Sequence, residues 1–212
     1  MSQARAAAMA IAAIFALNSS AWAQATPGDK PDPVAFDNEY FHVTRDAAPC
    51  GDAAVAGCED RVVVAMGKII VSSGKSQKRL AKGQVAVFRQ GQSYKVAGAP
   101  FFEVAIKPGH PPVKSPPEII PPAKNAIIYD GPRFFVYHEQ LAVGDTRPRH
   151  SHSQRLEIRL NIGPLLDQWF DPPAKPLLPS TVNFRQPSIH TTKNVGDMPL
   201  KNLIVEFKPE PK

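Results

Sequence analysis

The sequence predicts an all-β protein built from two similar halves in tandem, on three observations. Segments rich in β-branched and aromatic residues are short and bounded by Gly, Pro or polar clusters. No window after residue 23 sustains a 3.6-residue apolar period. Three anchors recur in the same order with slowly growing offsets, which marks an internal repeat.

The first anchor sets Phe36-Asp37-Asn38-Glu39-Tyr40-Phe41-His42-Val43 beside Tyr129-Asp130-Gly131-Pro132-Arg133-Phe134-Phe135-Val136, an offset of 93. The second sets Ala86-Val87-Phe88-Arg89-Gln90 beside Val182-Asn183-Phe184-Arg185-Gln186, an offset of 96. The third sets Phe102 to Pro108 beside Leu203 to Pro209, an offset of 101. In the first half, antiparallel strands are predicted over Arg61–Met66, Lys68–Ser72, Gln84–Phe88, Ser93–Val96 and Phe101–Ile106. Each half is small for an independent domain, so the two are expected to pack on each other.

Five segments follow from this reading. Residues 1–23 read as a signal peptide: Arg5, an apolar run from Ala6 to Leu17, and the small-x-small site Ala21-Trp22-Ala23. That run is shorter than the roughly 20 residues of a membrane-spanning helix. A polar tail, 24–33, leads to a first barrel at 34–108. Residues 109–124 form a stiff linker in a stretch with seven prolines between Pro108 and Pro122, and a second barrel occupies 125–209.

Composition narrows the class. At 43% hydrophobic and 21% charged, the 212-residue chain is too apolar to be disordered. Its 23 prolines, about twice the usual share of roughly 5%, favour short strands and turns. The formal net charge of +6 is spread along the chain without the clustered, aromatic-interleaved pattern of a nucleic-acid binder. Export would place the two cysteines, Cys50 and Cys58, in an oxidising compartment, where a disulfide closing the short Gly51–Gly57 loop is the leading reading; free thiols or a metal contact are the alternatives.

The chemistry-bearing constellation is Gly144-Asp145-Thr146-Arg147-Pro148-Arg149-His150-Ser151-His152-Ser153-Gln154-Arg155-Leu156-Glu157, a G-x5-H-x-H-x4-E pattern, followed later by His190-x3-Asn194. On a strand, His150 and His152 point to one face. A neighbouring strand brings Glu157 and His190 toward the same point, so the metal ligands predicted are His150, His152, Glu157 and His190.

These motifs resemble those of the cupin superfamily. Its first motif matches Gly144 to Glu157, with Gly163 one position early; its second is matched only by His190-x3-Asn194, with Pro187 too close and the motif glycine absent. The resemblance implies two small jelly-roll barrels in tandem, a bicupin. It also implies a divalent transition metal (Mn, Fe, Ni, Cu or Zn, all of which accept imidazole and carboxylate) serving an oxygenase, decarboxylase or isomerase. At the corresponding positions the first half carries Ala56, Cys58, Val63 and Tyr94, so it is expected to be metal-free, a support for its partner or an apolar pocket closed by Tyr94 and the cysteine loop.

Arg155 and Arg159 share strand parity with Glu157 and should face the interior, where an unpaired guanidinium is costly and a bound anion would satisfy it. Arg147 stands where oxalate-acting cupins carry an arginine, so Arg147 and Arg155 are the candidate binders of a small anionic substrate. Pairing with Asp145, Glu139 or Glu157, or a place on the outer face, is the alternative for each. The Leu165–Pro179 segment has no counterpart in the first half and reads either as a lid or as a docking surface. A non-catalytic periplasmic ligand- or metal-binding protein, and a purely structural barrel, are the rival functions, and exposed edge strands are compatible with a homodimer.

Overall fold

The computed structural model describes residues 33–51, 59–113, 125–161, 166–170 and 182–209. The predicted signal peptide, most of the tail, Ala56, Cys58, most of the linker and most of the Leu165–Pro179 segment lie outside the described residues. Asp32–Lys212 form one compact unit. Among the described residues no helix is long and apolar enough to cross a membrane, and the only helical element is a 3-10 turn at Pro49–Gly51.

Sixteen strands are described. In the first half they are β1 (Val34–Asp37), β2 (Phe41–Arg45), β3 (Asp60–Ala65), β4 (Ile69–Ser73), β5 (Ser76–Leu80), β6 (Val85–Phe88), β7 (Lys95–Ala97) and β8 (Phe101–Ile106). The second half contains β9 (Asn125–Asp130), β10 (Phe134–Leu141), β11 (Thr146–His152), β12 (Arg155–Arg159), β13 (Leu166–Phe170), β14 (Val182–Arg185), β15 (Ser188–Asn194) and β16 (Leu200–Phe207). Each half has a five-stranded and a three-stranded sheet, all pairings antiparallel: β1-β2-β8-β3-β6 with β5-β4-β7, and β9-β10-β16-β12-β14 with β11-β15-β13. The two five-stranded sheets correspond place by place, with β12, the fourth strand of its half, standing where β3, the third of its half, stands in the first.

Pairing register corrects one anchor. Arg61 lies opposite Ala105 and Arg155 opposite Glu206, positions 101 apart in the matched last strands. Arg61 also pairs with Phe88, and Arg155 with Arg185. The structural offset at β6 and β14 is therefore 97, not 96. Similar side chains, Phe88 and Phe184, suggested the smaller offset, yet they serve different cores: Phe88 packs inside the first barrel and Phe184 against the core between the halves.

Strand parity builds these cores. Val62, Val64, Phe102, Val104 and Ile106 of the first half meet Phe134, Val136, Leu156, Ile158, Leu203, Val205 and Phe207 of the second in one buried cluster. The two five-stranded sheets thus pack through their apolar outer faces, as a sandwich does. Phe41 and Phe207, with ring centroids 5.1 Å apart, and Arg133 paired with Glu59 fasten the two. The alternate residues of the same strands face the barrel interiors. In the first barrel they are largely apolar: Val63, Ala65, Ile69, Val71, Leu80, Phe88, Tyr94 and Phe101. In the second barrel Arg155, Glu157, Arg159, Asn202, Glu206 and Glu139 occupy the equivalent faces, all buried.

Candidate metal centre

The first part of the motif makes a tight turn. Gly144 has φ +78°, a left-handed conformation that favours glycine, and its N–H donates to the Asn194 carbonyl at 2.9 Å. The Asn194 side chain donates to the carbonyls of Leu141 and Met198 at 3.0 and 2.9 Å. The glycine and asparagine of the two motifs therefore hold one corner of the barrel and touch no reacting group.

A β-bulge then decides what faces inward. Arg147 pairs with Thr192 and His150 with His190, so β11 spends three residues where β15 spends two. The extra residue falls at Pro148-Arg149, where proline withholds an N–H without loss. Without it, Arg147 and His150 would lie on opposite faces. With it, Arg147, His150 and His152 are all buried, while Pro148 and Arg149 are exposed.

The three imidazoles converge. His150 Nε2 lies 2.9 Å from His152 Nε2 and 3.0 Å from His190 Nε2. His150 Nδ1–H donates to the Pro148 carbonyl at 2.7 Å, which fixes the tautomer and leaves Nε2 with its lone pair. His152 Nδ1 faces Glu206, 3.1 Å from Oε2, which fixes its tautomer in the same sense. Burial holds all three imidazoles below their ordinary pKa, His190 down to about 2, with neighbouring Arg155 adding to the effect at His152 and His190. Neutral rings with lone pairs turned on one point repel one another; a cation at that point turns the repulsion into ligation. The donor set therefore fits a transition metal, and among the described residues it is the one such group of three.

Glu157 corrects the predicted ligand set. Its Oε1 accepts from Asn202 Nδ2 at 2.8 Å and its Oε2 from Arg185 Nε at 3.1 Å, so both oxygens are committed away from the histidines. The carboxylate beside the site is Glu206, which sequence reasoning missed. Its Oε1 accepts from the Ser153 N–H at 2.7 Å and its Oε2 from the Tyr137 hydroxyl at 2.7 Å. Burial raises its pKa, against the pull of Arg155 and those hydrogen bonds. The available signal was a lone acid inside the otherwise apolar run Leu203-Ile204-Val205-Glu206-Phe207.

Arg147 takes the alternative role, that of a paired guanidinium. It donates to Glu139 Oε1 and to Asn125 Oδ1. Asn202 Nδ2 donates on to Glu139 Oε2 at 2.8 Å, so a continuous polar belt runs Asn125, Arg147, Glu139, Asn202, Glu157, Arg185. Arg155 faces the interior as parity predicts, its Nη1 3.3 Å from Ser188 Oγ and 3.5 Å from the Ser153 carbonyl.

In the first barrel Val63 takes the place of Glu157, and Tyr94 is stacked on Phe88 with ring centroids 4.0 Å apart and donates to Glu103. Part of the expected lid or docking segment, Leu166–Phe170, is a strand paired to β15 on the side away from β11. Cys50 is buried and no described cysteine is a free thiol.

No family model matches the chain, and no curated protein matches it by sequence. Solved structures do. A putative glyoxylate-induced protein from Pseudomonas aeruginosa is 12% identical, with a TM-score of 0.57 over 85% of this chain and 79% of that one. AerE from Microcystis aeruginosa is 11% identical, with a TM-score of 0.53 over 80% and 93%. A cupin 2 conserved barrel domain protein from Leptotrichia buccalis is 9% identical, with a TM-score of 0.50 over 82% and 86%. At these identities the likeness is one of fold: the chain has the all-β, jelly-roll fold of the cupins.

Proposed function

We propose that this cupin-fold chain is an exported bicupin with one divalent metal in its second barrel, acting as an oxygenase, decarboxylase or isomerase on a small carboxylate. The observation that carries the reading is the meeting of three buried imidazoles, with His150 Nε2 2.9 Å from His152 Nε2 and 3.0 Å from His190 Nε2, two of them with the tautomer fixed by a partner on Nδ1. When bound, a divalent cation there supplies Lewis acidity toward a ligand oxygen. The chain's own residues do the rest: Pro148 and Glu206 orient two of the rings, and buried walls exclude water. Tyr137 braces Glu206, while the polar belt keeps Arg147 and Glu157 out of the ligand sphere.

Export with cleavage near Gln24, a Cys50–Cys58 bridge, a periplasmic location and a homodimer complete the proposal. Mass spectrometry of the exported protein tests the first. Elemental analysis of the purified protein beside His150→Ala tests the centre. Stoichiometric metal lost in the variant supports the assignment; wild-type protein that refuses iron, manganese, nickel, copper and zinc overturns it.

A further inference from the structure

The interior of the second barrel holds three buried guanidinium groups, Arg147, Arg155 and Arg159, with the half-buried Arg185 beside them, against three buried carboxylates, Glu139, Glu157 and Glu206. All six carboxylate oxygens are engaged: those of Glu139 by Arg147 and Asn202, those of Glu157 by Asn202 and Arg185, and those of Glu206 by Ser153, Tyr137 and His152. None serves Arg159. That side chain is 3% exposed, and its Nε and Nη2 have no protein partner among the described residues. Nε and Nη2 form one edge of the guanidinium, the edge that receives both oxygens of a carboxylate side-on.

The position of Arg159 follows from register. It lies opposite Asn202, which lies opposite Glu139; Glu139 holds Arg147, and Arg147 lies opposite Thr192. Thr192 is two residues from His190 on the same buried face of β15, a spacing of about 7 Å. Its hydroxyl is also buried and has no protein partner among the described residues. Arg159 and Thr192 thus occupy the side-chain layer next to the imidazoles.

We infer that Arg159 is the carboxylate receptor of the second barrel, binding side-on a short acid that carries a second oxygen function directed at the histidine cluster, with the Thr192 hydroxyl between the two. The inference rests on the reading of this barrel as a ligand chamber, and it moves the anion from Arg147 to Arg159. An uncompensated guanidinium at this depth is costly, and a bound carboxylate removes that cost.

Calorimetric and thermal-shift titrations with malonate and succinate, on metal-stripped and on zinc-reconstituted protein, test it. At least one dicarboxylate should raise the wild-type Tm, and its Kd should weaken at least tenfold in Arg159→Met. It should stay unchanged in Arg149→Met, which removes an exposed guanidinium. Wild type indifferent to both acids, Arg159→Met binding them normally, or phosphate and chloride binding as tightly overturns the inference. Should Arg159→Met fail to fold, the Arg159 Nε–H resonance of the wild type, assigned with Arg159→Lys, must move on addition of malonate; a stationary signal is equally fatal. Metal content measured on the same samples separates the two readings. A chain that holds no metal but loses dicarboxylate binding in Arg159→Met keeps this inference and loses the metal centre.

Discussion

Glu206 Oε2 lies 3.1 Å from Nδ1 of His152, and the carboxylate is held there by Tyr137 and Ser153 from the other side. A carboxylate behind a ligating imidazole fixes the ring and raises its basicity, and loss of such a partner costs metal sites roughly 10- to 100-fold in affinity. Glu206→Gln should therefore weaken metal binding by about that factor in a chelator competition, whereas His152→Ala should abolish it.

Glu157 bonds Asn202 and Arg185, not the histidine cluster. Glu157→Ala should retain stoichiometric metal yet lose about 3 kcal/mol of stability in a denaturant titration, since it strands a partly buried guanidinium. Loss of metal with stability intact would restore Glu157 to the ligand set.

Acid should act on the metal-free protein through the three histidines. Their folded pKa values are depressed by burial, so the unfolded chain binds protons that the native chain does not. Their contribution is present above the unfolded value of about 6.5 and is lost as pH falls below it. Glu103 and Glu206 work in the opposite sense, because burial raises their pKa and protonation favours the folded state, but their effect begins only near the raised carboxylate range. Denaturation midpoints of the metal-free protein should fall between pH 7 and 5.5, and more steeply than in a His190→Phe variant.

Tyr94 donates to the buried Glu103, whose other oxygen accepts from the Cys50 N–H at 3.0 Å. Tyr94→Phe should cost about 1 to 3 kcal/mol, measured by thermal unfolding, because a buried acceptor loses its partner. Metal content should be unaffected, since the three converging histidines all stand in the second half.

Cys50 is fixed by that same contact, and its proposed bridge to Cys58 closes a short loop. Reduction should lower stability by about 2 to 3 kcal/mol. Two reactive thiols in a titration of the untreated protein would remove the bridge.

The parts of this molecule that depend on parity were legible in the sequence. His150 and His152 share a face, Arg155 and Arg159 point inward, and the halves repeat. Depth along a strand was not legible. Glu157 has the right parity but turns its oxygens to Asn202 and Arg185, while Glu206, on a strand nearly fifty residues later, reaches the histidines. Nor does parity foresee the bulge at Pro148-Arg149, which turns Arg147 inward against the count. Both depend on how strands are staggered, a property of paired backbones that no single segment encodes.

The apolar seam between the two five-stranded sheets has a consequence for the half without histidine ligands. Val62, Val64, Phe102, Val104 and Ile106 cover the outer face of the second barrel's five-stranded sheet, while the histidines stand on the three-stranded one. Chemistry has no hold on these residues, but water does: stripped of its twin, the second barrel would present Leu156, Ile158, Leu203, Val205 and Phe207 to solvent and associate with whatever apolar surface it met. The twin serves as an internal chaperone that never leaves, free to surrender every ligand so long as it keeps its shape.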